Sequence, residues 1–477
     1  MDEILELDAR DLAAQIARGA VSCEEVMRAT LARVDDVNDT LNAIVSLRDA
    51  DDLLSEARRA DMAGGRGPLH GLPVAVKDLA DVRGLPTSQG SPLFAGQVAD
   101  HDDLHVARMR AAGAIPVGKT NTPEFGLGSH TYNPVHGVTA NPYDTSLSCG
   151  GSSGGAAVAL AARMLCVADG SDMMGSLRNP AGWNNVYGMR PSWGLIPGEP
   201  EGDSFLQQLS TRGPMARSPS DLALILNVMA GPDRRLPFAM PGFPGAAPEA
   251  GADGARIGWL GDWGGALPFE PGILDLCERA LTVLADLGCV IDPLPAPFGR
   301  DALWESWTVL RNWGVAAGLS PLLEESGAAA RLKPEALWEI ERGRALSAMD
   351  VHAASVTRSQ WYRTAAALLD RHDALALPTA QVWPFALEKA WPDRIAGQDM
   401  DTYHRWMEVV IPASLAGLPA VAVPAGFGID GRPMGLQLIG RHGDDARLLR
   451  LAEAFHDATK WPQAHPPDDT AIRAYSR

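Results

Sequence analysis

The sequence predicts an α/β fold in which a central sheet is covered by helices on both faces. The first observation is a strand–helix–strand alternation over residues 256–261, 271–287 and 289–293, because such alternation packs helices against a sheet. The second is an alanine-rich helix at 156–164, followed by an apolar run at 165–168 that predicts a buried strand. Three later apolar runs are expected to complete the same sheet, at 374–378, 420–424 and 434–439.

The first 65 residues predict a helical cover rather than a functional site. Apolar residues at helical spacing predict one helix over 5–18, and Ser22 with Glu25 forms a capping-box pattern that opens a second. A third helix is expected over 50–63, closed by two glycines. The chain shows no internal repeat and no linker, so we expect one domain.

Composition excludes several classes of protein. The 477 residues are 46% hydrophobic and 21% charged, which is ordinary for a globular protein. The net charge of −18 argues against a nucleic-acid partner and against anionic membranes. Five scattered cysteines without a CxxC pair suggest neither a disulfide framework nor a metal site. With no signal-peptide pattern and no apolar run near the ~20 residues of a membrane span, we expect a cytoplasmic protein.

Two glycine- and serine-rich clusters flank the predicted helix and strand. The first reads CGGSSGG over 149–155, and the second reads GSDMMGS over 170–176. One precedes the helix and the other follows the strand, so both are expected to face one cleft. Glycines expose backbone N–H groups that can stabilise an oxyanion, and a serine hydroxyl becomes a nucleophile once a base removes its proton.

A lysine ends the apolar run GLPVAVKD over 71–78. Taken alone, Lys77 reads either as a surface charge or as a lysine held in a dry cleft. In the second case desolvation lowers the lysine pKa, so that the neutral amine can serve as a general base.

Two motif matches fail on their context. Residues 113–120, GAIPVGKT, match the P-loop pattern, but a helix precedes them and the predicted strand lies inside the supposed loop. Residues 151–155, GSSGG, match the nucleophile elbow with Ser153 at its centre, yet a polar loop stands where that motif needs a hydrophobic strand. Nucleotide binding and an α/β-hydrolase site are therefore both disfavoured.

Taken together, the motifs resemble the amidase signature enzymes over nearly the whole chain. The resemblance rests on seven segments beside GLPVAVKDL at 71–79, namely GAIPVGKTNTPEFG at 113–126, NPYDTSLSCGGSSGGAA at 141–157, GSDMMGSLRNPA at 170–181, GMRPSWG at 188–194, GPMARSPSDLALIL at 213–226, LAGLPAVAVPAG at 415–426 and MGLQLIGRHGDDARLLRLAEAF at 434–455. It implies the family fold, a central mixed β-sheet covered by helices on both faces. It also implies one amidase domain over 1–477, divided into a helical cover (1–65), a signature core (66–230), a variable tryptophan-rich region on the substrate side (231–410) and a C-terminal part that completes the core (411–477).

The resemblance also implies a Ser–Ser–Lys triad. Lys77 matches the family lysine, Ser152 the bridging serine and Ser176 the nucleophile. Ser152 is expected to take part in a non-proline cis peptide bond, while Ser153 and Ser171 are expected to be structural. No histidine, metal or cofactor is required.

The oxyanion hole of the family consists of backbone N–H groups, which here belong to Met173, Met174, Gly175 and Ser176. The family usually reads S-D-T-G-G-S at this cluster, so two methionines replace threonine and glycine. A positive φ at position 174 would strain Met174. Otherwise its thioether is expected to enter the acyl pocket or to pack beneath the loop.

The implied activity is hydrolysis of a carboxylic acid amide, through an acyl-enzyme on Ser176. The loop over 121–148 is expected to line the cleft, with Gly126, Ser129 and Tyr132 joining Met174 as substrate-binding candidates. Eight of thirteen tryptophans lie within 301–410, either as helix packing or as a substrate wall that favours a small apolar or aryl amide.

Two other functions stay open. One is the A-type glutaminase component of a tRNA-dependent amidotransferase, although LRNPAGWNNVYG after Ser176 differs from the usual IRxPAxxCG pattern. The other is a non-catalytic binding protein in which the methionines fill the oxyanion hole. A small-molecule amide is the expected partner, and a homodimer is common among relatives.

Overall fold

The computed structural model describes residues 2–65, 67–206, 208–243, 249–428 and 430–474. The four predicted segments of the domain include Met1, Arg66 and residues 475–477, which lie outside the described residues. The division into four segments stays a prediction.

The described residues form sixteen α-helices. In chain order these are α1 (Asp2–Glu6), α2 (Ala9–Ala17), α3 (Cys23–Leu41), α4 (Ala50–Ala63), α5 (Leu104–Ala111), α6 (Gly154–Ala161), α7 (Arg178–Trp183), α8 (Pro219–Met229), α9 (Ile273–Asp286), α10 (Arg300–Leu319), α11 (Pro334–Arg344), α12 (Ala348–Leu369), α13 (Ile411–Ala416), α14 (Asp445–Thr459), α15 (Trp461–Ala464) and α16 (Asp469–Ala474). Short 3₁₀ turns lie at Glu124–Gly126, Ser320–Glu324, Ala328–Arg331 and Arg405–Val410.

The strands number seventeen within the same described residues. They are β1 (Ile44–Val45), β2 (Pro73–Lys77), β3 (Ile115–Thr120), β4 (Tyr132–Asn133), β5 (Gly137–Val138), β6 (Ala140–Asn141), β7 (Asp144–Ser148), β8 (Val167–Asp172), β9 (Tyr187–Arg190), β10 (Thr211–Ala216), β11 (Arg256–Trp259), β12 (Val290–Pro293), β13 (Ala374–Pro378), β14 (Arg394–Ile395), β15 (Gln398–Asp399), β16 (Ala420–Phe427) and β17 (Pro433–Ile439).

Eight strands form the main sheet, in the order β12-β11-β13-β17-β16-β9-β10-β8. The pairs of β11 with β12 and with β13 are parallel, and the remaining pairs are antiparallel. Helices α6 to α9 and α14 pack against these strands. The predicted α/β fold with a mixed sheet is therefore confirmed, and the later apolar runs do join the same sheet as the strand–helix–strand unit.

A second, three-stranded sheet carries the predicted lysine. Its order is β1-β3-β2, with β2 parallel to β3. Strand β2 lies beside β8, which is the last strand of the main sheet. The candidate site residues lie where these two strands, and with them the two sheets, meet.

Two local predictions need correction. The run at 165–168 is not a strand in itself, because β8 begins at Val167 and continues to Asp172, where all six residues pair with β10. Backbone pairing, not apolar character, thus sets the extent of this strand. The helix predicted over 5–18 is two helices, since Asp8 between them is extended, with φ −71° and ψ 157°.

The tryptophans of the 301–410 region mainly pack in the core. The buried ones are Trp304, Trp307, Trp361, Trp383 and Trp406. These five side chains pack in the main hydrophobic core, and the substrate-wall interpretation of the region stays a prediction.

All five cysteines are buried free thiols. Within the described residues, no helix combines the length and the apolar character that crossing a bilayer requires.

Candidate active site

Lys77 ends strand β2 with its side chain inside the protein, 1% exposed. Its Nζ lies 2.7 Å from Ser152 Oγ, 2.9 Å from Ser153 Oγ and 3.1 Å from Ser171 Oγ. Both serine clusters therefore converge on one buried lysine. The surface-charge interpretation of Lys77 is wrong.

Burial lowers the pKa of Lys77 from 10.5 to about 7, because the ammonium form loses its hydration. The carboxylates of Asp169 and Asp172 act in the opposite direction, since nearby negative charge favours the ammonium. A large share of molecules thus carries an uncharged amine here at neutral pH. This amine is the form that can accept a proton.

Asp169 joins the two sheets at Lys77. One of its carboxylate oxygens accepts the Lys77 amide N–H at 2.9 Å, and the other lies 3.1 Å from His105 Nε2. Burial favours the neutral acid, but the contact with His105 holds the pKa of Asp169 below its ordinary value. Burial lowers the pKa of His105. An uncharged imidazole can donate to this carboxylate through Nε2, while His105 Nδ1 is buried without a partner among the described residues.

The first serine cluster forms a tight loop before helix α6. Its Gly151–Ser152 peptide bond is cis. A Cβ placed on Gly151 would lie 2.9 Å from Thr131 Oγ1 and 3.3 Å from the Ser129 carbonyl carbon, so a side chain at this position would force its neighbours to shift. The amide of Ser153 donates to the Ser176 carbonyl at 3.2 Å, which joins the two clusters.

Asp172 anchors the loop that carries Ser176. Its carboxylate accepts two hydrogen bonds from Arg178, each 3.0 Å long, and Arg190 lies 3.3 Å away. All three side chains are fully buried. Although burial favours the acid form, Arg178 and Arg190 hold the pKa of Asp172 far below its ordinary value. The buried Asp172–Arg178 ion pair thus holds this loop in place.

The same carboxylate uses one of the predicted oxyanion donors. The amide of Gly175 donates to Asp172 Oδ1 at 2.9 Å, so that N–H group already has an acceptor. Within the described part of the chain, the amides of Met173, Met174 and Ser176 donate to no protein acceptor. Unlike the Gly175 amide, these three N–H groups are not committed to an acceptor within the described residues.

The two methionines occupy different surroundings. Met174 does not take a positive φ, whereas Gly175 does, at 77°, so the anticipated strain is absent. Met174 is 3% exposed and belongs to the main hydrophobic core. Met173 is half-buried, and its Sδ lies 3.3 Å from Nη1 of Arg311. Met173, rather than Met174, borders the polar groups beyond the loop.

A buried polar cluster, formed by Arg311, Glu339 and Tyr403, lies behind Met173. Arg311 donates to Glu339 Oε1 at 2.6 Å and to the Tyr403 hydroxyl at 2.7 Å, and that hydroxyl donates to Glu339 Oε1 at 2.7 Å. Glu339 Oε2 has no partner among the described residues. Sequence reasoning missed this cluster, because its members are far apart along the chain and share no motif.

The other predicted substrate-binding residues lie at varied distances from this centre. A Cβ on Gly126, whose φ is 68°, would lie 3.4 Å from Ser152 Oγ, so Gly126 borders the bridging serine. Ser129 is 2% exposed beside Gly151, and its hydroxyl has no partner among the described residues. The half-buried ring of Tyr132 lies 5.0 Å from the His130 ring.

Comparison with known proteins adds to this geometry. A family model described as Amidase matches residues 25–449. The acylamidase of Rhodococcus erythropolis is 34% identical, with 98% of each chain covered. One of the subunits of glutamyl-tRNA(Gln) amidotransferase from Chloroflexus aurantiacus is also 34% identical, over 98% of this chain and 99% of its own.

Solved structures are similar over nearly their full length. A bacterial aryl acylamidase, described as belonging to the amidase signature enzymes, superimposes with a TM-score of 0.90 at 26% identity, covering 98% of both chains. A 6-aminohexanoate cyclic dimer hydrolase gives 0.88 at 26% identity, covering 98% of this chain and 99% of its own.

Proposed function

Because this chain belongs to the amidase signature family and is a hydrolase acting on amides, we propose that it cleaves its substrate through Ser176, Ser152 and Lys77. The observation that carries the proposal is the 2.7 Å contact between Lys77 Nζ and Ser152 Oγ inside the protein. A lysine whose pKa is about 7 is a competent base at neutral pH.

Acylation begins when Ser176 Oγ attacks the carbonyl carbon of the amide. The Ser176 proton passes to Ser152 Oγ, while the Ser152 proton passes to Lys77 Nζ. Lys77 then returns a proton through Ser152 to the amide nitrogen, and the C–N bond breaks. The amine leaves, and the acyl group stays on Ser176 as an ester.

Deacylation repeats the relay with water as the nucleophile. Lys77 accepts the water proton through Ser152, the hydroxide oxygen attacks the ester carbonyl, and Ser176 regains a proton as the acid leaves. The charge on the tetrahedral oxygen is stabilised by backbone N–H groups. We assign this role to Met173, Met174 and Ser176, and not to Gly175, whose amide already donates to Asp172.

We propose a small apolar or aryl amide as the substrate. The names of two relatives, an acylamidase and an aryl acylamidase, support this class. The half-buried thioether of Met173 beside the loop offers an apolar surface to the acyl group.

A second candidate is the glutaminase role in a tRNA-dependent amidotransferase, which the similarity to the Chloroflexus amidotransferase chain favours. A glutaminase of this kind works with partner chains. Glutamine hydrolysis by the isolated chain, compared with hydrolysis of an anilide, separates the two functions. If glutamine is preferred, the second candidate replaces the first.

Intact-protein mass spectrometry after fluorophosphonate treatment tests the nucleophile. We expect one adduct on the wild type, none on Ser176→Ala and one on the matched control Ser153→Ala. Labelling of Ser176→Ala would mean that another serine is the nucleophile. If the wild type remains unlabelled and hydrolyses no amide, the protein is a binding protein instead.

A further inference from the structure

A side-chain hydrogen bond joins the loop of Ser176 to helix α10. Arg311 Nη1 donates to Met173 Sδ at 3.3 Å. A thioether sulfur is a weak acceptor, but hydrogen bonds from an ionised donor are about twice as strong as those from a neutral one. None of the steps derived so far uses this contact.

Backbone contacts hold the loop on both sides of Met173. The pairing of β8 with β10 ends at Asp172. Further along, the amides of Gly175 and Leu177 donate to the Asp172 carboxylate at 2.9 Å and 3.2 Å. The amide of Met173 donates to no acceptor among the described residues, and its half-buried side chain packs against the main core. The orientation of this N–H group therefore depends on how the Met173 side chain is held.

Arg311 is a rigid anchor for that side chain. Its Nε donates to Glu339 Oε1 at 2.6 Å, and its Nη2 donates to the Tyr403 hydroxyl at 2.7 Å. The side chains of Arg311 and Glu339 are 3% and 0% exposed. Because the guanidinium is planar, these two bonds also fix the direction of the Nη1 donor. The sulfur of Met173 thus meets a donor whose position is set by other groups.

Helix α11 connects this anchor to the loop beside Ser152. The amide of Lys333, at the start of α11, donates to Glu124 Oε2 at 2.9 Å, and Lys333 Nζ donates to the Leu127 carbonyl. Gly126, which borders Ser152, lies between these two contacts. The same helix carries a member of the buried polar cluster. The two catalytic loops are therefore held by one packed pair of helices, α10 and α11.

We propose that Arg311 is a positioning residue, which orients the Met173 N–H group toward the tetrahedral oxygen through the Met173 sulfur. The inference rests on the proposed function, in which that N–H group stabilises the charge. An oxyanion donor works at about 2.7–3.1 Å from the oxygen, and an error of about 0.5 Å already weakens it. The hydrogen bond forms fully only in the transition state, so its loss reduces kcat rather than substrate affinity.

Met173→Leu tests the contact without disturbing the buried polar cluster. Leucine keeps an apolar side chain and has no sulfur acceptor. The matched control is Met240→Leu, because Met240 is also half-buried against the main core. Tyr403→Phe removes one support of Arg311 and leaves the ion pair with Glu339 in place. The double variant Met173→Leu/Tyr403→Phe completes a cycle that measures the coupling.

The measurements are kcat and KM for hexananilide, the rate constant of Ser176 labelling by a fluorophosphonate, and Tm. Because loss of a whole oxyanion donor costs about 10²–10³-fold in kcat, we expect a misdirected one in Met173→Leu to cost about tenfold, with KM within twofold. The labelling rate should fall in parallel, since the phosphonyl oxygen occupies the same position. Met240→Leu should change none of these values.

The cycle distinguishes positioning from stability. Tyr403→Phe should lower kcat about threefold, as a weaker form of the same misdirection, and should cause no further loss when Met173→Leu is already present. Equal losses from Tyr403→Phe in both backgrounds, or a fall in Tm with unchanged kcat, would make the cluster a structural feature only. A rise in KM without a fall in kcat would make Met173 a substrate contact and overturn the proposal.

The same labelling experiment separates this failure from failure of the proposed function. If the wild type is labelled on Ser176 and Met173→Leu is labelled at an equal rate, the triad stands and the role of Arg311 is wrong. An unlabelled wild type refutes the triad itself. Met173→Leu decides the question alone if Tyr403→Phe does not fold.

Discussion

Replacement of Lys77 with methionine should greatly reduce activity and stabilise the folded protein at neutral pH. Lys77 has a pKa of 10.5 when unfolded and of about 7 in the fold, so it gives up its proton on folding at any pH between these values. Unfolding therefore takes up a proton, and the wild type gains stability as the pH rises from about 7 to 10.5. Methionine fills similar space and carries no titrating group.

The magnitude follows from the two pKa values. At about 1.4 kcal/mol for each unit of pKa, the displacement from 10.5 to about 7 costs the wild type roughly 5 kcal/mol at pH 7. Methionine forfeits the hydrogen bonds to Ser152, Ser153 and Ser171, each worth about 1 kcal/mol. Lys77→Met should thus be about 2 kcal/mol more stable at pH 7 and less stable than the wild type by pH 10.

Urea unfolding followed by tryptophan fluorescence at pH 7, 8.5 and 10 measures this difference. Lys389→Met, at an exposed lysine, is the control and should run parallel to the wild type. The kcat/KM of Lys77→Met should fall by about 10³-fold or more. A stability difference that stays constant from pH 7 to 10 would refute a neutral lysine in the fold.

Two further outcomes are expected. The kcat/KM of the wild type should rise with pH through an apparent pKa of about 7. In Asp169→Asn this rise should occur at lower pH, because the Asp169 carboxylate favours the ammonium form of Lys77. A rise at unchanged pH in Asp169→Asn would contradict this electrostatic role. Arg178→Leu should reduce the free energy of unfolding by about 3–5 kcal/mol, because it leaves Asp172 buried and without its bidentate partner. The control Arg235→Leu removes an exposed ion pair and should leave Tm unchanged. Similar Tm values for both arginine variants would count against the buried anchor.

The sequence was informative where chemistry follows short motifs. Lys77, Ser152 and Ser176 belong to contiguous segments whose glycines and serines can be read directly, and helices such as α4 (Ala50–Ala63) have clear apolar spacing and end signals. Strand β8 was misjudged, because backbone pairing with β10 extends it through polar residues. Pairing across such sequence distances leaves no local signal.

The rest of the site depends on tertiary packing. The Arg311–Glu339–Tyr403 cluster joins three distant elements, and the use of the Gly175 amide by Asp172 depends on how one loop folds back. Loops that approach each other across a sheet edge share no periodicity for a sequence reader to detect.

The hydrogen bond from the Lys77 amide to Asp169 makes one carboxylate responsible for two properties of the base. The Asp169 carboxylate fixes the position of strand β2 along β8 through this hydrogen bond, and its negative charge raises the pKa of the Lys77 amine. Most substitutions of Asp169 would therefore change the pKa of Lys77 and also remove the hydrogen bond that holds strand β2. Asparagine keeps a side-chain oxygen at the same distance and removes the charge. It is therefore the substitution at this position that can change the working pH and keep the hydrogen bond.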